Sequence, residues 1–161
     1  MSAAKWTTAL GLEPHPEGGF YRRSYTANCR VSPEYFAAAR PIASAIYYLL
    51  PAAQFSALHR IQSDELWHFY AGGGLNISVI TPKGELKILR LGLDLARGEQ
   101  PQQLVPAGCW FGASVAHGEY VLVGCTVAPA FDFADFELGK RTELLAMYPQ
   151  HAEIIEQLTL E

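Results

Sequence analysis

The chain has 161 residues, of which 50% are hydrophobic and 17% charged, and its formal net charge is −4. This length predicts a single domain, and the apolar content argues against a disordered chain. The acidic balance argues against nucleic-acid or membrane-surface partners, which need a basic face, and no apolar run approaches the ~20 residues of a membrane span.

The first forty residues predict a helix, a loop and an edge strand. Ser2 is a helix N-cap and Gly11 is a helix stop. Residues 12–19, with the sequence LEPHPEGG, contain two prolines and two glycines and cannot be helical. They lead into a strand over 20–25 and then a loop over 28–41. The proline- and glycine-rich loop is either a lid or binding loop, or simply a rigid turn.

The middle of the chain predicts short strands separated by turns, which is typical of a β-sandwich or barrel. Thr81-Pro82-Lys83-Gly84 is the turn of a predicted hairpin. The predicted strands cover residues 43–50, 55–61, 66–71, 75–80, 85–91, 104–105, 109–115 and 120–126.

The tail changes to helical spacing over residues 140–147 and 152–160, and we expect these helices to pack on one end of the β unit. We therefore predict one domain over residues 1–161. It comprises a helix and arm (1–41), a barrel core (42–136) and C-terminal helices (137–161).

Three cysteines, Cys29, Cys109 and Cys125, form no Cys-x-x-Cys pair, and the N-terminal residues carry no apolar signal region. An odd number of cysteines without an export signal predicts free thiols in a reducing compartment, so we expect a cytoplasmic protein. We expect Cys109 and Cys125, in apolar strands, to be inert core residues.

The segment over residues 55–72 holds two histidines and two carboxylates among apolar residues. Strand alternation predicts that His59 and Glu65 face one interior, while His68 faces outward. An imidazole beside a carboxylate can move protons near neutral pH, or the pair can bind a metal. The alternative is a buried hydrogen-bonded pair that only orders the barrel.

Several motifs together resemble the cupin superfamily. The spacing His59-x-Ile61-x3-Glu65-x6-Gly72 is similar to the first cupin motif, and residues 106–111, PAGCWF, are similar to the second. Residues 12–25, 64–72 and 122–131 extend the resemblance to one cupin family of largely unassigned function. The resemblance implies a mainly β fold, a double-stranded β-helix or jelly-roll barrel with short terminal helices, and usually a dimer.

Metal-binding cupins use three histidines and one glutamate, and here Ile61 and Phe111 stand at two of those positions. Neither side chain coordinates a metal, and two remaining ligands are too few for a tight site. We therefore expect no metal cofactor. The alternative is a metal-dependent enzyme that binds a divalent transition metal through His59, Glu65 and His68.

The fold is also similar to that of dTDP-sugar epimerases, which use a histidine base, a carboxylate that orients it and a tyrosine acid. This implies a small polar metabolite, sugar-like or nucleotide-like, bound inside the barrel and isomerised without a metal. The expected catalytic residues are His59, Glu65 and Tyr48. The expected substrate-binding residues are Arg22, Ser56, Trp67, Phe69 and Phe111. An inward arginine suits a ligand carboxylate or phosphate, although Arg22 and its neighbour Arg23 are equally suited to salt bridges. A further alternative is a non-catalytic binding or sensing module.

The outward face that carries His68 and Tyr70 predicts a homodimer, because apolar outer faces of barrels are often buried against a second copy. Light scattering at micromolar concentration should give twice the mass of one chain. The mass of a single chain would contradict this prediction.

Overall fold

The computed structural model describes residues 1–160. Helix α1 begins beyond Ser2, whose hydroxyl accepts from the Lys5 N–H, and ends at Gly11 in the left-handed region. The helices are α1 (Ala3–Leu10), α2 (Arg141–Met147) and α3 (Ala152–Gln157). The strands are β1 (Glu13–Pro14), β2 (Phe20–Thr26), β3 (Arg30–Val31), β4 (Arg40–Pro41), β5 (Ser44–Pro51), β6 (Phe55–Arg60), β7 (Asp64–Gly72), β8 (Leu75–Ile80), β9 (Leu86–Leu91), β10 (Gln102–Val105), β11 (Trp110–Val115), β12 (Tyr120–Ala128) and β13 (Glu137–Leu138).

Two antiparallel sheets form the barrel. One has the strand order β1-β2-β5-β12-β7-β10 and the other β13-β6-β11-β8-β9. The predicted hairpin is confirmed, since β8 pairs with β9 over their full length. The expected loop over 28–41 instead contains the short β3–β4 ladder. This arrangement is the mainly β jelly-roll barrel that the sequence predicted.

Side-chain alternation divides each strand between the barrel interior and its outer face. The inward residues form the largest buried cluster, to which β7 contributes Trp67, β11 Phe111 and β12 Cys125. Glu65 shares the inward face with Trp67, and His59 is directly opposite Phe111 in the register of β6 and β11. The barrel thus buries both residues of the predicted His–Glu pair.

The helices pack on the outer faces of the two sheets, and the expectation that they pack on one end of the β unit is wrong. Helices α2 and α3 bury Leu144 and Ile155 against the outward side chains Leu58, Ile80 and Trp110. The other sheet buries Leu49 and Leu122 beneath α1. Apolar residues face outward as well as inward, so each sheet needs a cover on both sides. No helix described in residues 1–160 is long and apolar enough to cross a membrane.

A β-bulge in β6 orients Ser56 and His59. His59 pairs with Phe111 and Ser56 pairs with Ala113, so three steps along β6 match two along β11. The extra residue puts Ser56 and His59 on the same side of the strand, although their spacing would place them on opposite sides of a regular one. Two backbone N–H groups at the bulge form hydrogen bonds outside the sheet. The Ala57 N–H donates to the Glu17 carbonyl (2.7 Å), and the Leu58 N–H donates to the Leu158 carbonyl (2.6 Å).

Candidate functional site

The loop over residues 15–19 folds into one end of the barrel. It closes on itself through hydrogen bonds from the His15 N–H to the Gly19 carbonyl and from the Gly18 N–H to the His15 carbonyl. Gly18 has φ +108°, and a Cβ there would collide with the Phe55 carbonyl. Only glycine allows this backbone to lie so close to β6. The loop thereby inserts the side chain of Glu17 into the barrel, and 9% of that side chain remains exposed.

Glu17 contacts two side chains of the bulged strand. Its Oε2 lies 3.0 Å from His59 Nε2, and its Oε1 accepts a hydrogen bond from the Ser56 hydroxyl (3.0 Å). His59 is 3% exposed and Ser56 is fully buried. The bulge in β6 makes this possible, because it turns both side chains toward the same carboxyl group.

The hydrogen bonds of His59 fix the position of a proton between His59 and Glu17. His59 Nδ1 lies 2.7 Å from the Ala57 carbonyl, which only accepts, so Nδ1 carries a hydrogen. In a neutral ring Nε2 is then an acceptor. Its contact with a carboxyl oxygen at 3.0 Å is favourable only if a proton lies between them. Either Glu17 is a neutral acid that donates to Nε2, or the ring is an imidazolium.

Burial decides between these two forms. It raises the pKa of Glu17 to about 7, against opposing effects of His15, of the hydrogen bond from Ser56 and of the nearby Tyr48 hydroxyl. Burial also lowers the pKa of His59, although Glu65 and the Ala57 carbonyl act in the opposite direction. Both shifts favour the neutral pair. Below pH 7 the proton is therefore on Glu17, and His59 Nε2 accepts it as a hydrogen bond.

Glu65 is a second buried carboxyl group of the site. Burial raises its pKa to about 7, and the Cys125 thiol hydrogen-bonds to it. Burial and the neighbouring Glu65 raise the pKa of the thiol itself well above its ordinary value, so Cys125 stays protonated. Cys125 therefore serves as a neutral donor to Glu65, which agrees with the expectation of an unreactive thiol.

These groups line a cavity of about 570 Å³ that opens at the rim of the barrel. This volume is within the usual range for small-molecule sites. Titratable groups and apolar strand residues form the cavity wall, and residues of the segment after β12 cover it. The lining residues are Gly11, Glu13, His15, Glu17, Tyr21, Arg22, Arg23, Ser44, Ile46, His59, Glu65, Cys125, Val127, Phe131, Asp132 and Phe133.

The expected catalytic residues occupy different environments. His59 and Glu65 both line the cavity. Tyr48 does not line it. The Tyr48 hydroxyl donates to the Gly18 carbonyl (2.8 Å) and so holds the loop that carries Glu17. Burial raises the pKa of Tyr48 well above its ordinary value, so this hydroxyl remains a donor. In this position Tyr48 positions Glu17 rather than facing a ligand.

The two arginines of β2 lie on opposite faces of the strand. Arg22 pairs with Tyr47 and its guanidinium lies over that ring, on the outer face. Arg23 pairs with the inward Ile46, and its guanidinium donates to the Phe131 carbonyl (2.8 Å). Both line the cavity rim, but Arg23 is on the inward face of the strand. We expected Arg22 to bind the ligand, but the register places Arg23, not Arg22, on the inward face of the strand.

The expected aromatic ligand contacts lie in the core, away from the cavity wall. Trp67 and Phe111 are 1% exposed and Phe69 packs against the same interior cluster. The centres of the Phe111 and His59 rings lie 4.1 Å apart, and this packing holds the His59 ring in place. Of the other expected substrate contacts, Ser56 reaches the site only through Glu17.

Glu17 and His15 are the site residues that sequence reasoning missed. Both belong to the loop that the sequence marked as either a lid or binding loop, or a rigid turn, and the structure shows a tight turn whose side chains line the cavity. The available signal was the Glu-Gly-Gly triplet, because glycines after a carboxylate allow the backbone to approach another strand closely.

The residues of the alternative metal site do not fit a metal. His68 lies on the opposite face of β7 from Glu65, where its ring contacts Thr126 and Gln102. The alternative ligand set His59, Glu65 and His68 therefore does not converge. Both nitrogens of His59 already have partners, and Phe111 fills the space beside its ring. Within residues 1–160 no cluster of three histidine, cysteine or acidic side chains is arranged to hold a metal ion.

Comparison with known proteins identifies relatives over the whole chain. The family model described as Cupin superfamily (DUF985) matches residues 4–139. A protein from Shewanella oneidensis is 46% identical, with a TM-score of 0.92, and the match covers 99% of this chain and 98% of that one. A hypothetical protein from Leishmania major is 36% identical, with a TM-score of 0.94, and the match covers both chains fully.

More distant matches share the fold alone. Oxalate decarboxylase from Bacillus subtilis is 15% identical with a TM-score of 0.56, over 91% of this chain and 37% of that one. A cupin 2 domain-containing protein from Halorhodospira halophila is 10% identical with a TM-score of 0.58, over 92% of this chain and 88% of that one. No curated protein sequence matches the chain.

Elemental analysis tests whether the protein binds a metal ion at His59. Protein purified without chelators or nickel resin, and then soaked with Fe, Mn, Zn or Ni and desalted, should retain far less than one metal ion per chain. The reason is that His59 has no free nitrogen for a ligand bond. One equivalent that is lost on substitution His59→Ala would contradict this prediction.

Substitution Glu17→Gln tests the buried proton, because the glutamine amide can donate to His59 Nε2 as the neutral acid does. In the unfolded chain Glu17 ionises near its ordinary pKa of 4.5, but in the folded protein only near 7. Between these values the folded state binds more protons, so raising the pH destabilises it. The unfolding free energy of the wild type should fall relative to the variant by about 1.4 kcal/mol per pH unit, roughly 3 kcal/mol in all.

The measurement is denaturant unfolding of both proteins from pH 4 to pH 8. Glu85→Gln, which removes an exposed carboxylate, serves as the control and should follow the wild type. Parallel pH profiles of the wild type and Glu17→Gln would show that Glu17 carries no extra proton in the folded state.

Proposed function

The chain belongs to the cupin superfamily (DUF985), and we propose that it binds a small polar metabolite in its barrel and moves a proton on it without a metal. The observation that carries the proposal is the contact of Glu17 with His59 at 3.0 Å on the cavity wall. A carboxyl group with a pKa of about 7 is half ionised at neutral pH. It is therefore equally ready to take a proton and to return one.

The proposed reaction is the isomerisation or epimerisation of a sugar-like or nucleotide-like carbonyl compound. Ionised Glu17 removes the proton from the carbon next to the carbonyl. The electron pair of that C–H bond forms the C=C bond of an enolate, and the negative charge goes to the carbonyl oxygen. Return of the proton to the other face of the same carbon gives the epimer. Where that carbon carries a hydroxyl group, return of the proton to the former carbonyl carbon, with transfer of the hydroxyl proton to the enolate oxygen, gives the isomer. No oxidant or reductant is needed.

His59 and Glu65 have supporting roles in this scheme. His59 Nε2 accepts from protonated Glu17 and so stabilises the acid after it has taken the proton. The Ala57 carbonyl keeps the ring in the required tautomer. Glu65 is a second carboxyl group with a pKa of about 7 that lines the cavity, and we assign to it the return of the proton.

The shape and charge of the cavity support a small polar metabolite. A volume of about 570 Å³ accommodates a molecule of the size of a sugar or nucleotide. Ile46, Val127 and Phe131 supply apolar walls. Arg23 at the rim suits a phosphate or carboxylate of the ligand.

Deuterium exchange tests this proposal even when the product has not been identified. The protein is incubated in D2O with a panel of keto-sugars and sugar nucleotides, and incorporation next to the carbonyl is followed by mass spectrometry and NMR. At least one compound should incorporate deuterium. Glu17→Gln and His59→Ala should exchange about 10²- to 10⁴-fold more slowly while remaining folded, because each loses the acid–base group or its partner.

His151→Gln is the matched control for the histidine variant. His151 lies far along the chain, in the tail, where its ring contacts the Gly84 carbonyl, and a glutamine amide can keep that contact. The control should exchange at the wild-type rate. A ligand that binds in the cavity and is recovered without deuterium would instead support the non-catalytic binding module and overturn the proposed reaction.

A further inference from the structure

His15 presents a hydrogen-bonding atom that the contacts so far described do not use. Its Nδ1 accepts a hydrogen bond from the Glu17 N–H (3.2 Å). Because Nδ1 is an acceptor, the neutral ring carries its hydrogen on Nε2. Nε2 has no hydrogen-bond partner within residues 1–160, although only 6% of the side chain is exposed and the residue lines the cavity.

Aromatic side chains fix the orientation of the His15 ring. Tyr21 meets it edge-on with the ring centres 4.5 Å apart, and Phe133 stacks on it at 6.1 Å. Tyr48 and Phe136 contact the ring edge-on at 6.3 Å. These contacts hold the ring in one orientation on the cavity wall. The N–H is therefore available to a ligand in the cavity.

His15 and Glu17 are two residues apart on one tight loop, and His15 Nδ1 lies 3.6 Å from Glu17 Oε2. Both residues line the same cavity, so one ligand can contact His15 Nε2 and the Glu17 carboxyl group.

We infer that His15 is a further catalytic residue, a neutral electrophile whose Nε2–H donates to the carbonyl oxygen of the substrate and to the enolate oxygen formed from it. The inference rests on the proposed function and deepens it, because it restricts the substrate to a carbonyl compound that reacts through an enolate. The C–H proton goes to Glu17, the charge goes to oxygen, and the Nε2–H hydrogen bond strengthens without proton transfer.

Burial is consistent with this role. It lowers the pKa of His15, with a smaller contribution from His59 and an opposing one from Glu17. The ring is therefore neutral at physiological pH, and Nδ1 stays free to accept from the Glu17 N–H. As an acid, a neutral imidazole also has a pKa closer to that of an enol than an imidazolium has.

The test uses glycolohydroxamate, a planar mimic of an enediolate, and protein with ¹⁵N-labelled histidine. NMR of the free protein should show His15 neutral and protonated on Nε2. Saturating glycolohydroxamate should move the Nε2–H proton downfield while Nδ1 stays unprotonated and the signals of His151 stay fixed. A proton on Nδ1 in the free protein, or a His15 signal that saturating glycolohydroxamate leaves unchanged, would overturn the inference.

Two variants separate donation from support of the loop. His15→Phe keeps the aromatic contacts but has no N–H, so it should bind glycolohydroxamate at least about tenfold more weakly. His15→Gln retains an amide donor and should recover part of the affinity. Equal affinity of the wild type and a folded His15→Phe would overturn the role of His15.

The outcomes for His15 and for the proposed function are distinguishable. If His15→Phe catalyses deuterium exchange at the wild-type rate, His15 is not the electrophile and the proposed function stands. If the NMR result holds but no carbonyl compound exchanges deuterium with the wild type, the proposed reaction fails, and His15 remains the donor of a binding site.

Discussion

The contact of Glu17 with His59 inside the barrel depends on one proton. A carboxylate facing an acceptor nitrogen at 3.0 Å would be repelled in a site where water cannot screen it. The Ala57 carbonyl removes the alternative tautomer of His59, so Glu17 has to supply the hydrogen. The chemistry proposed for the cavity follows from this constraint, because a buried acid that loses its proton near pH 7 is a reversible proton carrier.

Several features of the fold serve this contact. The bulge in β6 turns Ser56 and His59 to the same side, and the Ala57 N–H freed by it binds the Glu17 carbonyl. Gly18 permits the approach of the loop to β6, and the Tyr48 hydroxyl fixes the loop from β5. The ring of Phe111 supports His59 at the position where a metal-binding cupin has a ligand. An apolar ring there replaces a metal bond with packing, and His59 remains free for Glu17.

Much of the fold was predictable because the strands alternate clearly and the turns carry proline and glycine. The inward placement of His59 and Glu65 followed from the same alternation. Ser56 illustrates its limit, since a bulge shifts the period by one residue and nothing in the sequence FSALHR marks the shift. Glu17 and His15 were missed because periodicity says nothing about loops. The outward apolar residues Leu58 and Trp110 belong to an interface with the tail helices that no local pattern reveals.

The most direct test of the proposed chemistry is the protonation state of the buried pair. NMR of protein labelled with ¹⁵N in histidine and with ¹³C in the glutamate carboxyl group can follow both groups from pH 5 to pH 8. At pH 5 to 6 we expect His59 to be neutral with its proton on Nδ1, and Glu17 to be protonated and to ionise near pH 7. An ionised Glu17 throughout this range, or His59 protonated on Nε2, would contradict the proposed role of the pair.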